Sequence, residues 1–304
     1  MAKQVMPGIS IDPQIIETPR GPVEYDLTPG DGPVILCSHG GLGGVDQARV
    51  MAAWVDTNRF RVLSVSRPGY LGTPLASGPS LQDQSGLFAD LLSKLNIAQA
   101  AVLSASAGGP PAYTFAIEHP ERIWALVAVD SVSGYYDMPE TAGPIAQAIF
   151  TTDWGQKLLK KIGEKRPDLF LKQIFQAEAY FSKEQQAKHM AFALGSEQAK
   201  AFVTAFMNTM NPYKPRKAGT ENDMALYRRL THLPVEKIRC PSLIIHGTHD
   251  ADVKFYDGVY AYEHIPNAER FWVEEGSHLC FWINPHSAEA QAKALDFLAR
   301  HSPA

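Results

Sequence analysis

The chain has 304 residues, 45% of them apolar and 20% charged, which is ordinary for a soluble globular protein with one large core and room for an appended domain. Its formal charge of −4 gives no ground for expecting nucleic acid or a membrane as partner. The three cysteines, Cys37, Cys240 and Cys280, each lie in or beside an apolar run and are expected to be buried free thiols of a reducing compartment.

The opening stretch MAKQVMPGISIDPQ lacks the apolar core of a secretory signal, and no run of about 18 apolar residues follows, so a cytoplasmic protein is expected. PVILCSHG (33–40) is the first strong strand candidate. RVLSVSRPG (61–69), QAAVLSAS (99–106), IWALVAVDS (123–131), PSLIIHGTHD (241–250) and ERFWVEEGSH (269–278) follow it. These runs are continuously apolar rather than alternating, as strands buried on both faces require. Helix candidates at 46–57, 80–95, 107–119, 257–264 and 285–301 separate them. Such alternation predicts an α/β fold with a mostly parallel central sheet and helices on both faces.

Between about Val132 and Glu236 the rhythm breaks and only helical signals remain. Asp153 can cap a helix carrying Trp154, Leu158, Leu159 and Ile162. Pro167 suits the first turn of a helix with Leu171, Ile174 and Phe175 on one face. Ser182 and Gln185 have capping-box spacing, and Thr220 can cap 221–232. The expected division is a core of 1–131 and 237–304 with a helical cap, 132–236, over the carboxyl edge of the sheet. The insertion holds 14 Lys and Arg against 11 Asp and Glu, leaving 14 against 21 elsewhere. That surplus fits a solvated surface, or a cap that favours anionic substrates.

In an open parallel sheet, reactive groups from separate strands meet at the carboxyl ends of those strands. The run AAVLSAS ends at Ser106, and AGGPPAYTFAIEH begins a helix at once. Ser106 then stands on the turn, with the Ala107 amide at a helix N-terminus. Ser104 lies on the same strand face one step deeper. Small residues at 105 and 107–109 suit a sharp turn.

SASAG, residues 104–108, resembles the G-x-S-x-G nucleophile elbow of the α/β-hydrolases, with Ser104 in the place of the first glycine. SHGGLGG (38–44) resembles the family's His-Gly oxyanion loop. By that resemblance the Gly41 amide joins that of Ala107 in the oxyanion hole, with Leu42 the alternative donor, and His39 braces the loop. Asp250, in IIHGTHDAD, matches the family's triad acid, with Asp252 as a substitute and Asp130, at the end of VAVDS, in a place that some family members use instead. His278, in EEGSHLCFW, matches the base, and the order Ser106, Asp250, His278 is that of the family. The resemblance covers the sheet-forming regions, about 30–131 and 237–300.

The activity it implies is hydrolysis of carboxylic esters through an acyl-enzyme, with neither metal nor organic cofactor. His246 and His249 with Asp250 and Asp252 offer metal-ligand types, but His246 falls inside an apolar strand and no second histidine cluster completes a set. Substrate choice should rest with the cap and the loop SRPGYLGTP (66–74), where Arg67 can bind a substrate carboxylate or form a structural ion pair. Tyr135, Tyr136, Met138, Trp154, Phe206, Met207, Met210 and Phe281 are candidate pocket residues; Phe202 and Trp282 belong to the same group. Two rival functions keep the same triad. One is hydrolysis of carbon–carbon bonds in vinylogous diketones, and the other is ligand reception with little turnover.

Overall fold

A computed structural model describes residues 2–137 and 152–303. Strands β1 (Lys3–Met6) and β2 (Ile9–Ile11) form a separate antiparallel hairpin. The main sheet comprises β3 (Gln14–Thr18), β4 (Gly21–Leu27), β5 (Val34–Ser38), β6 (Arg61–Val65), β7 (Ala100–Ala105), β8 (Ile123–Val129), β9 (Ser242–Gly247) and β10 (Glu269–Val273). Its order is β3-β4-β6-β5-β7-β8-β9-β10. β5 to β10 run parallel, whereas β4 is antiparallel to both β3 and β6.

The helices in chain order are α1 (Val45–Met51), α2 (Leu81–Lys94), α3 (Gly109–Glu118), α4 (Asp153–Lys165), α5 (Pro167–Glu178), α6 (Lys183–Gly195), α7 (Glu197–Asn208), α8 (Lys217–Tyr227), α9 (Phe255–His264), α10 (Cys280–Ile283) and α11 (Ser287–His301). Strand residues divide alternately between two cores, as their period of two requires. Ile35, Cys37, Ala101, Leu103, Leu243 and Ile245 pack on one face with α1 and α11. Val34, Leu36, Ala100, Val102 and Ile244 pack on the other with α2, α3 and α9. Both faces are therefore dry over the inner strands β5 to β9, which is why those five candidates are so apolar, whereas the edge strand β10 is half-exposed and carries Glu269 and Arg270. All three cysteines are buried and unbridged.

β5 lies between β6 and β7, so successive connections leave it in opposite directions. The crevice this opens beyond the carboxyl ends of β5 and β7 is where such sheets place their ligands.

The four strands from Lys3 to Leu27 were absent from the sequence reading. β1, β2 and β3 are short, with β1 and β3 largely exposed, and the longer β4 carries Glu24 and Asp26 among its apolar residues, so no apolar run marks them. Helices α4 to α8 lie between β8 and β9. Thr152, not Asp153, caps α4, its hydroxyl accepting from the Gly155 amide. The Asp153 carboxylate turns away to accept from the amides of Tyr213 and Lys214. Thr220 lies inside α8 and bonds back to the Arg216 carbonyl instead of capping. The expected box of Ser182 and Gln185 does cap α6. No helix among the described residues is long and apolar enough to cross a membrane.

Candidate active site

Ser106 stands where β7 turns into α3, with a left-handed φ of +52°. A serine rarely adopts this conformation unless its surroundings impose it. The Ser106 amide donates to the Asp130 carbonyl, and the Ser106 carbonyl accepts from the Val132 amide. Gly108 lets β5 approach, since a Cβ there would collide with the carbonyl oxygen of Ser38. Ser104 is fully buried below the turn, its hydroxyl 3.0 Å from that of Ser131.

The loop after β5 carries Gly40, Gly41 and Leu42, all at the cavity wall beside Ser106 and Ala107. Its histidine, His39, is buried under the loop. Burial, then the charges of Arg67 and Arg216, hold its pKa well below the usual value, so the ring is neutral. Nε2 accepts from the Arg67 amide at 3.1 Å, which leaves Nδ1–H to donate to the Gly40 carbonyl at 2.7 Å. His39 thus braces the loop.

His278 follows β10, and Asp250 follows β9. Nδ1 of His278 lies 2.8 Å from Asp250 Oδ2. Asp250 Oδ1 accepts from the amides of Asp252 and Val253, fixing the carboxylate. Burial alone would lower the pKa of His278. The charges of Asp250 and Asp252, the Asp250 hydrogen bond and the charge of Glu178 outweigh it and hold that pKa well above the usual value. Asp130 takes no part in orienting the ring. It accepts from the Gly247 amide and the Cys280 thiol instead. Asp252 lies on the other side of the imidazole, 3.3 Å from Nε2, and accepts from the Tyr136 hydroxyl at 2.6 Å.

Glu178, the last residue of α5, joins this group from the insertion. Its carbonyl accepts from both the Ala251 amide (3.1 Å) and the His278 amide (3.2 Å). Its Oε2 is buried, with no hydrogen-bond partner among the described residues. Burial pushes the carboxyl pKa up to about 8; the His278 charge opposes the rise, and the neighbouring aspartates add to it.

Asp130, His246 and Asp250 bring potential metal-ligand atoms within 4.8 Å of one another. These atoms are already engaged, His246 Nε2 with the Val253 carbonyl at 2.9 Å and both Asp250 oxygens as above. The trio lies behind His278, with Asp250 bonded to that ring and His246 3.5 Å from the Asp250 carboxylate. His249 points elsewhere, towards Thr248 and Gln185.

Ser106, Ala107, Gly41, Leu42 and His278 line one cavity of about 200 Å³. Of the expected pocket residues, Tyr136, Phe206, Met210 and Trp282 line it, while Phe202 stacks behind Trp282 outside the lining. Tyr135 is 59% exposed, because side chains alternate along the extended segment and its neighbour Tyr136 takes the inward place. Trp154 is 70% exposed on the outer face of α4. Met207 is buried against Gly163 of α4, and Phe281 against Trp54, both away from the lining. Met138 lies outside the described residues.

The sequence reading missed Phe170, Ile174, Glu178 and Asp223 as lining residues. The helical period of α5 places Phe170, Ile174 and Glu178 four residues apart, so a count along its apolar face could have found the first two. The ionisable lining comprises Asp130, Glu178, Asp223, Asp252, Tyr70, Tyr136, Tyr227 and His278, without Lys or Arg among the described residues. The stretch 138–151, MPETAGPIAQAIFT, contains neither. The insertion's surplus of positive charge therefore does not reach the cavity. Arg67 is fully buried in an ion pair with Asp223.

A model of the alpha/beta hydrolase fold family matches residues 33–285. An uncharacterized hydrolase of Bacillus subtilis (strain 168), YcgS, is 26% identical over 282 residues, 91% of this chain and 95% of that protein. The 2-hydroxy-6-oxononadienedioate/2-hydroxy-6-oxononatrienedioate hydrolase of Burkholderia vietnamiensis (strain G4 / LMG 22486) is 23% identical over 93% of this chain and 90% of its own. Among solved structures, an alpha/beta hydrolase fold protein from Nakamurella multipartita superposes with a TM-score of 0.89 and 34% identity, covering 94% of this chain and 99% of that one.

Proposed function

The chain belongs to the alpha/beta hydrolase family, and from that membership we propose that it is a serine hydrolase cleaving carboxylic esters of small to medium, largely apolar substrates. Ser106 is the nucleophile, His278 the base and Asp250 the acid that fixes the ring, with 132–236 acting as a cap that shapes the pocket. The observation that carries this reading is the 2.8 Å bond between Asp250 and His278, two buried groups, with His278 in one cavity with the left-handed Ser106.

In the proposed cycle, neutral His278 takes the Ser106 proton as Oγ attacks the acyl carbon. The amides of Gly41 and Ala107, with Leu42 as the alternative to Gly41, stabilise the resulting oxyanion. Collapse expels the alcohol, which leaves with the proton from His278. A water that gives its proton to His278 then attacks the acyl-enzyme, and release of the carboxylic acid restores Ser106–H. The apolar wall of Met51, Phe170, Ile174, Phe206, Met210 and Trp282 suits a hydrocarbon acyl or alcohol group.

Ser106→Ala should abolish hydrolysis of short p-nitrophenyl esters and labelling by a fluorophosphonate. Activity within about tenfold of the parent would sink the assignment.

The Burkholderia relative is named for a dioate, which favours a second reading, carbon–carbon hydrolysis on the same triad. The cavity offers a dioate little, because no Lys or Arg among the described residues lines it to pair with a second substrate carboxylate. Paired assays decide it: a neutral ester should be turned over, and a ring-cleavage dienedioate should not.

A further inference from the structure

Behind the oxyanion loop, four carbonyls are held by side chains that do not reach the substrate side. Arg67 Nε donates to the His39 carbonyl at 3.2 Å, and its Nη2 to the Gly40 carbonyl at 3.3 Å. Gln47 Nε2 donates to the Gly41 carbonyl at 3.3 Å, and Arg216 Nη1 donates to the Gly43 carbonyl. A trans peptide is planar, with its C=O and N–H pointing in opposite directions. The Gly40 carbonyl, shared between Arg67 Nη2 and His39 Nδ1 at 2.7 Å, with that ring itself held by the Arg67 amide, turns the N–H of Gly41 the other way, towards the cavity. The second donor is set in the same manner, since the Val132 amide holds the Ser106 carbonyl on the far side of the peptide that carries the Ala107 N–H.

The guanidinium that aims the Gly41 peptide is itself fixed from the insertion. Arg67 meets Asp223 of α8 with two parallel bonds, 2.9 and 2.7 Å long, and the Tyr70 hydroxyl adds a third bond to that carboxylate at 2.7 Å. A second pair crosses in the opposite sense. Arg216, at the start of the same insertion segment, meets Asp46 of α1 at 3.1 and 2.9 Å. The side chains of both pairs are at most 4% exposed. A buried fork of this kind has one geometry, and its carboxylate partner determines it.

We propose that Arg67, locked by Asp223, is a positioning residue for the oxyanion hole, so that the insertion segment 216–223 sets how well the loop stabilises the tetrahedral intermediate. Arg216 reinforces the same loop farther along. The inference rests on the serine-hydrolase reading above and adds to it a role for the insertion in the chemical step, beyond shaping the pocket.

The test compares the parent with Arg67→Lys, which keeps a cation beside Asp223 but loses the fork that spans two carbonyls. Oxyanion donors act on the transition state, so kcat should fall by about tenfold to a hundredfold while KM stays within about threefold. Affinity for an alkyl boronic acid, which forms a tetrahedral adduct on serine, should fall in parallel with kcat/KM. A purely structural ion pair would lower Tm and leave the ratio of boronate affinity to KM where it was; that outcome overturns the proposal. Should Arg67→Lys fold poorly, the triple variant Arg67→Met/Tyr70→Phe/Asp223→Leu replaces the buried pair and the hydroxyl bonded to it by apolar groups, an exchange that often preserves stability. It should fold and show the same selective loss of boronate affinity, and parental affinity in it likewise overturns the proposal. A parent that binds no boronate and cleaves no ester overturns the hydrolase reading first, and is distinguished by the absence of any difference from Ser106→Ala.

Discussion

Asp252 places its Oδ2 3.3 Å from the Nε2 of His278, on the side of the ring opposite Asp250. The imidazole thus lies between two carboxylates, one on each nitrogen. Asp250 is the orienting partner that the proposed mechanism needs. Asp252 stands on the nitrogen that has to accept the serine proton, and it favours the imidazolium, which cannot act as a base.

The pH profile follows from this arrangement. The pKa of His278 is raised, so the imidazolium persists to higher pH and the neutral base forms only above the usual histidine range. The acid limb of kcat/KM should accordingly lie on the alkaline side of 6.5. Asp252→Asn removes one of the charges that raise it, and the limb should move to lower pH. An unmoved limb in a folded variant would show that Asp252 does not act on the base.

Glu178 gives a prediction about stability. Between the ordinary glutamate value of 4.5 and about 8, its carboxyl stays protonated in the fold while the unfolded chain has released the proton. The folded state then binds more protons than the unfolded one, so stability contributed at low pH is lost as pH rises through that window. Glu178→Gln has no proton to lose. The difference in Tm, variant minus parent, should grow from about pH 5 to about pH 8. A constant difference would mean that this carboxyl ionises normally.

The two serines of the elbow should separate cleanly. Ser104→Ala removes one buried hydroxyl contact, with Ser131, and should cost about 1 kcal/mol in urea denaturation with turnover within a few-fold of the parent. A collapse of turnover comparable to that of Ser106→Ala would assign the nucleophile to the wrong residue.

Gly108→Ala tests the close approach of β5 to the elbow. Its φ of −75° suits any residue, so the cost is contact alone. A Cβ there meets the carbonyl oxygens of Ser38 and His39, both backbone atoms at the root of the oxyanion loop. The variant should lose about 1–3 kcal/mol, read from the urea midpoint, together with most of its turnover. Parental values of both would mean that the elbow has room to spare.

What was legible in the sequence was whatever the sheet makes local. A strand buried on both faces needs an apolar run, and a residue just past that run sits at the sheet's edge, which located Ser106 after β7 and Asp250 after β9; His278 follows the half-exposed edge strand β10, and its Gly-Ser-His motif marked it instead. The hairpin β1–β2 and strand β3 left no such run, being short and partly exposed, and β4, though seven residues long, interrupts its apolar residues with Glu24 and Asp26. The pocket was less legible because its wall is assembled across long separations. Tyr136 reaches Asp252 over 116 residues, and Arg67 reaches Asp223 over 156. Trp154 and Met207 had the composition of pocket residues, but orientation around a helix decides exposure, and those two turned to solvent and to a neighbouring helix.

The carbonyl of Glu178, shared between the amides of Ala251 and His278, bears on how this protein can be recombined with others. A chimera that replaced the whole insertion would delete the one acceptor serving both loops, leaving two N–H groups to find new partners beside the base. The two loops would then be joined by their direct bonds alone, such as that from the His249 amide to the Gly276 carbonyl. The junctions of a workable exchange therefore lie inside the insertion: the end of α5 and the segment 216–223 travel with the sheet, and so does α7, whose Phe202 stacks on Trp282 and whose Phe206 lines the cavity.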